Sequence, residues 1–228
     1  MGTLDGPGVR YVLFLQGCPI RCCYCHNPET WPLSGGSLED SAEIAEKMLR
    51  YRSYFGAEGG VTLSGGEPLL QGEFCCDLMD RLAAEGIGTA LDTSGMVQDD
   101  WAMRALEKCA LILLDIKMTN EADYEKYTRG SLQKALDFLD AAERLGKPAW
   151  LRQVILPGIN DTEESILKLR RIAREHRNVQ RVELLPLRKL CLEKYESLGI
   201  PFPLKDSPTP TLAQMKTLQA LVDSESED

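Results

Sequence analysis

The sequence predicts an α/β fold built on a parallel sheet, and three observations carry that reading. Short apolar, β-branched runs alternate with longer stretches of helical periodicity. At 228 residues with 43% hydrophobic content the chain can bury one substantial core, and ordinary domain sizes argue against several. The residues capable of chemistry cluster just past the ends of the apolar runs, where parallel α/β folds gather their sites.

The elements follow in order. Residues 11–16 form the first apolar run, and a Cys-rich loop follows it; helical periodicity then covers 39–50. The next runs are 60–64, 89–92, 111–116, 149–156 and 181–185, and the helices between them are expected at 73–85, 101–108, 132–145 and 163–176. Each helix ends near Gly, Asn or a charged cluster, which are ordinary stop signals. A basic segment, a Pro-rich stretch over 201–210 and a last helix over 212–222 close the chain. Alternation of this kind implies right-handed crossovers, so the sheet is either open and doubly wound or curled towards a barrel. Six units are too few for a closed eight-stranded barrel. One domain is expected over 1–222, with an acidic tail at 223–228 that frays.

Composition excludes several classes of function. With 35 acidic against 26 basic residues the net charge is −9, the wrong sign for a protein that binds by neutralising phosphates, so no nucleic acid partner is expected. No run approaches the roughly 18 apolar residues of a membrane span, and the first residues hold neither a basic start nor an apolar signal core. A cytoplasmic chain without a membrane partner is expected. Eight cysteines in such a chain do not read as a disulfide framework. Cys75, Cys76, Cys109 and Cys191 are scattered and read as small core residues.

The other four cysteines fall together, in Gly17-Cys18-Pro19-Ile20-Arg21-Cys22-Cys23-Tyr24-Cys25-His26-Asn27. Cys18, Cys22 and Cys25 are spaced C-x3-C-x2-C, and thiolates are soft donors suited to iron–sulfur clusters and zinc. A cubane held by three ligands keeps its fourth iron for a small molecule. The competing reading is a Cys3His zinc site with His26, although structural zinc sites usually pair two ligand knuckles and no second C-x2-C occurs downstream. Cys23 as a ligand would leave one residue before Cys25, so Cys23 reads as a bystander.

The other run ends carry weaker signals. Ser64-Gly65-Gly66-Glu67-Pro68 is either a tight turn with Glu67 near a helix start, or a place where backbone approaches a ligand. Asp92 ends the third run, and Asp115 and Lys117 share a face at the end of the fourth. A plain Asp115–Lys117 ion pair accounts for two of these and leaves Asp92 unexplained. Arg152 reads equally as a structural ion-pair residue or as one that places a cofactor, and Arg188 as a solvated basic turn or a nucleoside contact.

The pattern C-x3-C-x-Tyr-C, with Asp5-Gly6-Pro7-Gly8-Val9-Arg10 before it and Cys25-His26-Asn27 and Thr30-Trp31 after it, resembles the radical S-adenosylmethionine (SAM) superfamily. Within it the chain is similar to the activating enzymes of glycyl radical enzymes, of the pyruvate formate-lyase type, from Leu4 to about Pro203. The stretch from Asn27 to Gly36 lacks an inserted ferredoxin-like cysteine set, which favours that branch. The resemblance implies a partial (β/α)6 TIM-like barrel. It implies a [4Fe-4S] cluster on Cys18, Cys22 and Cys25, and SAM contacts from Tyr24, His26, Asn27, Gly65, Gly66, Glu67, Thr93, Asp115, Ile116, Lys117 and Arg188. It also implies a monovalent cation at Asp92, Thr93 and Asp115, and contacts from Asp5 and Arg10 to the glycine loop of a partner protein. Arg188 stands where the best-known members carry histidine. Members carry a further segment before Asp-Gly-Pro-Gly, so an edge element is expected to be missing or the start displaced.

The implied reaction is reductive cleavage of SAM to methionine and a 5′-deoxyadenosyl radical, which removes hydrogen from a glycine Cα of pyruvate formate-lyase or a related enzyme. A flavodoxin or ferredoxin supplies the electron, and a monomer is expected. Two other readings stand beside it. One is a small-molecule radical SAM enzyme such as a deazapurine synthase, and the other a zinc-stabilised binding module without catalysis.

Overall fold

The structure, a computed structural model, describes Gly2 and residues 4–224. Its strands are β1 (Arg10–Leu15), β2 (Gly60–Gly65), β3 (Thr89–Thr93), β4 (Leu111–Asp115), β5 (Ala149–Ile155) and β6 (Val179–Pro186). Its helices are α1 (Ser41–Leu49), α2 (Arg52–Phe55), α3 (Gly72–Ala84), α4 (Asp100–Lys108), α5 (Glu121–Thr128), α6 (Leu132–Arg144), α7 (Glu163–Glu175), α8 (Leu192–Ser197) and α9 (Leu212–Asp223). Short 3-10 turns at Pro28–Thr30 and Pro68–Gln71 follow β1 and β2.

The strands form one sheet in the order β1-β2-β3-β4-β5-β6, every pair parallel. A doubly wound sheet reverses its strand order partway across, and this one does not. The sheet is therefore the partial (β/α)6 barrel, left open between β1 and β6.

Alternation along each strand makes two faces. Val61, Leu63, Leu91, Ile112, Leu114 and Leu151 are fully buried in the main core, with helix residues such as Leu78, Leu106, Phe138 and Leu169. The intervening residues face the concave side, where Ala90, Leu111 and Leu113 pack with Trp150 as a small second cluster, and the Arg181 guanidinium lies 4.8 Å from the Trp150 ring centre. Local sequence starts the helices. Asp40, Asp99, Asn120, Ser131, Thr162 and Thr211 each cap a helix by accepting backbone N–H bonds. Each of these six helices thus begins where a side chain supplies a missing acceptor, whereas α2, α3 and α8 start without one.

Helices α2, α5 and α8 depart from the expected pattern. They are four, eight and six residues long, with only one or two buried residues each, too few for helical periodicity to show. The scattered cysteines are buried as expected, although Cys109 and Cys191 flank helices rather than sit inside them. Asp223 closes α9, and from residue 225 the expected acidic tail lies outside the described residues. Among the described residues no helix is long and apolar enough to cross a membrane.

Arg10, expected at a partner contact, lies away from the cysteine loop. It begins β1, at the end of the sheet opposite the cysteine loop, and is 3% exposed. Its guanidinium donates to the carbonyls of Val61 and Glu58 and to Thr62 Oγ1. Burial lowers its pKa to about 10 against the pull of Asp5. Arg10 ties β1 to β2. Asp5 is half-buried, its carbonyl accepts from Thr62 Oγ1, and its charge acts on both Arg10 and Arg152.

Candidate active site

The loop after β1 is folded by main-chain contacts. Gly17 takes φ +99°, a conformation that side chains disfavour, and its N–H donates to Thr30 O at 2.8 Å. Further along, Arg21 N donates to Thr128 O (2.7 Å) and Cys23 N to Tyr127 O (2.8 Å), so the end of α5 braces the loop. At the end of β2, Gly66 N donates to Leu15 O (2.9 Å) and Glu67 N to Gly17 O (2.8 Å). A Cβ on Gly65 would collide with the backbone of Leu15, and one on Gly66 with the carbonyl of Gly17. The two glycines thus bring protein backbone against protein backbone, and the cysteine loop against the end of β2.

This packing places Cys18, Cys22 and Cys25 on the wall of one cavity of ≈ 230 Å³ at the C-terminal ends of the strands. Cys23 does not line it. Burial raises the pKa of all three thiols, Cys22 to about 12, so each stays neutral until a metal replaces its proton. Cys25 also accepts from the backbone N–H of Asn27 at 3.4 Å.

Opposite the thiols lies a charged floor. Arg152 bonds Asp92 through Nη2 and Asp115 through Nε (3.2 Å), Lys117 Nζ bonds Asp115 at 2.6 Å, and Ser64 Oγ donates to Asp92 at 2.7 Å. Withdrawing such charges from water costs several kcal/mol per ion unless they are paired, which this arrangement provides. Burial raises the pKa of Asp92 despite Arg152. For Asp115 burial pulls the same way, but Lys117 and Arg152 outweigh it and hold the carboxyl below its ordinary value. Lys117 is raised well above its usual value because the Asp115 charge outweighs its own burial.

Of the residues expected at the cofactor, Tyr24, His26, Asn27, Gly65, Gly66, Thr93, Asp115 and Lys117 line the cavity, and Glu67, Ile116 and Arg188 do not. Glu67 is fully buried behind the wall, where its carboxylate accepts from Thr93 Oγ1 (2.7 Å), Ser94 N (2.9 Å), Ser94 Oγ (2.5 Å) and Leu69 N (3.2 Å). Its acceptors are spent on holding the ends of β2 and β3 together. Ile116 is fully buried in the apolar core. Arg188 turns its side chain to solvent, and only its carbonyl reaches the site, 2.7 Å from His26 Nε2.

The expected cation cluster is not assembled either. Arg152 stands between Asp92 and Asp115, and the Thr93 hydroxyl is turned to Glu67. Sequence reasoning missed Ser64 and Ser94, and also Lys194, whose Nζ lies 2.6 Å from Asn27 Oδ1. Ser64 could have been found from strand parity, because it lies two residues beyond the inward-facing Thr62. Nothing local marks Lys194, which is 167 residues from its partner.

The residues present fit a [4Fe-4S] cluster with a small zwitterionic ligand beside it. Three soft donors share one wall, and the floor offers carboxylates to an amino group and Lys117 and Arg152 to a carboxylate. The Tyr24 hydroxyl is buried there without a hydrogen-bond partner. A Cys3His zinc site fits less well. Among the described residues no three Cys, His, Asp or Glu side chains gather closely enough to share one ion. Sulfurs on separate corners of a cubane need no such convergence.

Fold and site together define an α/β iron–sulfur enzyme with a small-molecule bed beside its thiols. The profile of the radical SAM superfamily matches residues 12–170. The chain is 44% identical to the pyruvate formate-lyase-activating enzyme of Clostridium pasteurianum (90% of this chain, 87% of that one) and 43% identical to that of Staphylococcus epidermidis (92% and 87%). The crystal structure of a domain of the pyruvate formate-lyase-activating enzyme from Bacteroides vulgatus shares the fold, with a TM-score of 0.60 at 22% identity over 72% of this chain and 92% of that one. The chain belongs to the radical SAM superfamily and, within it, to the family of pyruvate formate-lyase-activating enzymes. Its cofactors are the [4Fe-4S] cluster and SAM.

Proposed function

We propose that this enzyme activates a glycyl radical enzyme of the pyruvate formate-lyase type by removing a hydrogen atom from a glycine Cα of that partner. The observation that carries this is the single cavity in which Cys18, Cys22 and Cys25 face the Asp92–Arg152–Asp115–Lys117 floor at the open end of the barrel. Bound together, the cluster and SAM supply reductive cleavage of the S–C5′ bond and the radical that follows from it.

The chain supplies alignment and dryness. Cys18, Cys22 and Cys25 would hold the cluster, three ligands for four irons. Asn27, held by Lys194, and Thr93, held by Glu67, offer fixed polar groups. The floor would receive the amino and carboxylate ends of SAM, and within it Lys117 and Arg152 hold Asp115 ionised. Tyr24 and Trp31 line the same cavity, and their rings limit water there. Asp5, half-buried beside Thr62, is the residue we assign to the glycine loop of the partner. A flavodoxin- or ferredoxin-type protein delivers the electron.

The test is electron paramagnetic resonance after mixing reconstituted, reduced enzyme with SAM and purified pyruvate formate-lyase. The expected result is a glycyl radical doublet on the partner. No doublet while SAM is still cleaved would refute this substrate and point to another.

A further inference from the structure

The wall behind Cys25 is closed by a distant part of the chain. Residues 188–195 dock on the loop at three points. His26 Nε2 meets Arg188 O at 2.7 Å, Lys194 bonds Asn27 Oδ1 at 2.6 Å and also Glu29, and the Tyr195 ring stands edge-on to Trp31 with centres 6.0 Å apart. Phe202 closes the other side of Tyr195, at 4.9 Å between ring centres. Tyr195 is thereby 1% exposed, and its hydroxyl has no hydrogen-bond partner among the described residues, sulfur included.

A buried hydroxyl without a partner is uncommon and calls for an explanation. The Tyr195 ring packs against Phe202 and against Trp31, which itself lines the cavity of the thiols, and besides burial the charges that act on its hydroxyl include those of Cys25, Cys191, Cys22 and Cys23. Two of these are cluster ligands. The acceptor that this phenol lacks is one that a cluster on Cys22 and Cys25 brings with it, since both thiolate and sulfide sulfur accept hydrogen bonds. Phenylalanine would fill the same ring space and leave no orphaned donor.

We propose that Tyr195 donates a hydrogen bond from its hydroxyl to a sulfur of the bound cluster on the Cys25 side, and so raises the cluster's reduction potential. The direction follows from charge. Reduction adds an electron to the cluster, and a donor aimed at its sulfur stabilises the more negative state. Tyr195 belongs to α8, outside the cysteine loop, so the potential is set partly by a segment that no spacing rule would join to the cluster. The proposal rests on the cluster reading given above.

The test compares wild type with Tyr195→Phe after anaerobic reconstitution with iron and sulfide. Both should bind equal iron and melt at the same temperature. In a potentiometric titration followed by paramagnetic resonance, the variant should lose roughly tenfold in the equilibrium for reduction, a downward shift of about 59 mV for a one-electron couple. Electron–nuclear double resonance of the reduced wild type in D2O should show one exchangeable deuteron coupling more than the variant, which keeps the coupling from the Asn27 N–H on Cys25. An unchanged midpoint together with an unchanged deuteron signal would overturn the proposal. A wild type that takes up no cluster would overturn the cluster reading itself, which separates the two failures.

Discussion

At the scale of single residues, the site is governed by how few groups can be charged so far from water. Asp115 is ionised because Lys117 and Arg152 face it; Glu67, with no counter-charge, relies on hydrogen bonds from Thr93, Ser94 and Leu69. The two respond to acid in opposite senses. Asp115 sits below its ordinary value of 3.8, so the stability it contributes is complete above that pH and is lost as the pH falls through its folded-state value. Glu67 is raised above 4.5 by burial, and across that window the folded chain holds the extra proton, so stability declines there as pH rises. Asp115→Asn should therefore flatten the acid limb of a stability–pH curve below 3.8. At neutral pH it should cost about 3–5 kcal/mol, because Lys117 and Arg152 are left buried and under-paired; chemical denaturation across pH measures both. Cys22→Ala should abolish both the iron–sulfur absorbance and SAM cleavage, whereas Cys23→Ala, whose thiol lies off the cavity, should retain both. Equal loss in the two variants would refute the ligand assignment. The three thiols were legible because their spacing carries the chemistry. Glu67 and Arg10 were legible as motif members but not as to their work, since their partners Ser94 and Thr62 lie 27 and 52 residues away.

Among the elements, the six strands fall within about two residues of their expected positions, since a strand buried on its helix side shows itself as a short apolar run. The misses share one physical cause. In α5 only Tyr124 and Thr128 are buried, and in α8 only Tyr195, so neither writes a periodic stripe into the sequence. These helices exist because of what they brace, the far ends of the cysteine loop. The junction of that loop with β2 invites a direct test. Gly66→Ala would push a methyl group into the carbonyl of Gly17, where no rotamer can relieve it. The expected outcome is a loss of about 2–4 kcal/mol and a cluster content well below stoichiometric after reconstitution, read by thermal unfolding and iron analysis. Alanine at Gly86, where the only neighbour of a Cβ is the far end of Arg52, serves as the comparison; it should pay only the strain of its positive φ and keep the cluster.

For the whole molecule, the decisive property is the sequential strand order, which leaves the barrel open between β1 and β6. Periodicity could not choose between this and a doubly wound sheet, because the choice depends on the side to which each crossover helix returns. The opening gives a macromolecular substrate a way in. Phe14, on edge strand β1 beside Ser64 in register, is 53% exposed at that opening. If the glycine loop of the partner enters there, Phe14→Glu should slow activation of the partner by about tenfold or more, as loss of an aromatic anchor does, while SAM cleavage without the partner stays unchanged. Parallel assays of glycyl radical and of methionine released measure the two. The backbone join between Gly17 and Gly66 also bears on how such a protein can age. A contact made only of main-chain atoms stores nothing in side-chain identity, so the residues around it are free to drift while the sulfurs keep their height above the strand ends. The liberty ends at Gly66, where any side chain would meet backbone, and at the thiols, His26, Asn27 and Trp31, whose side chains carry the site.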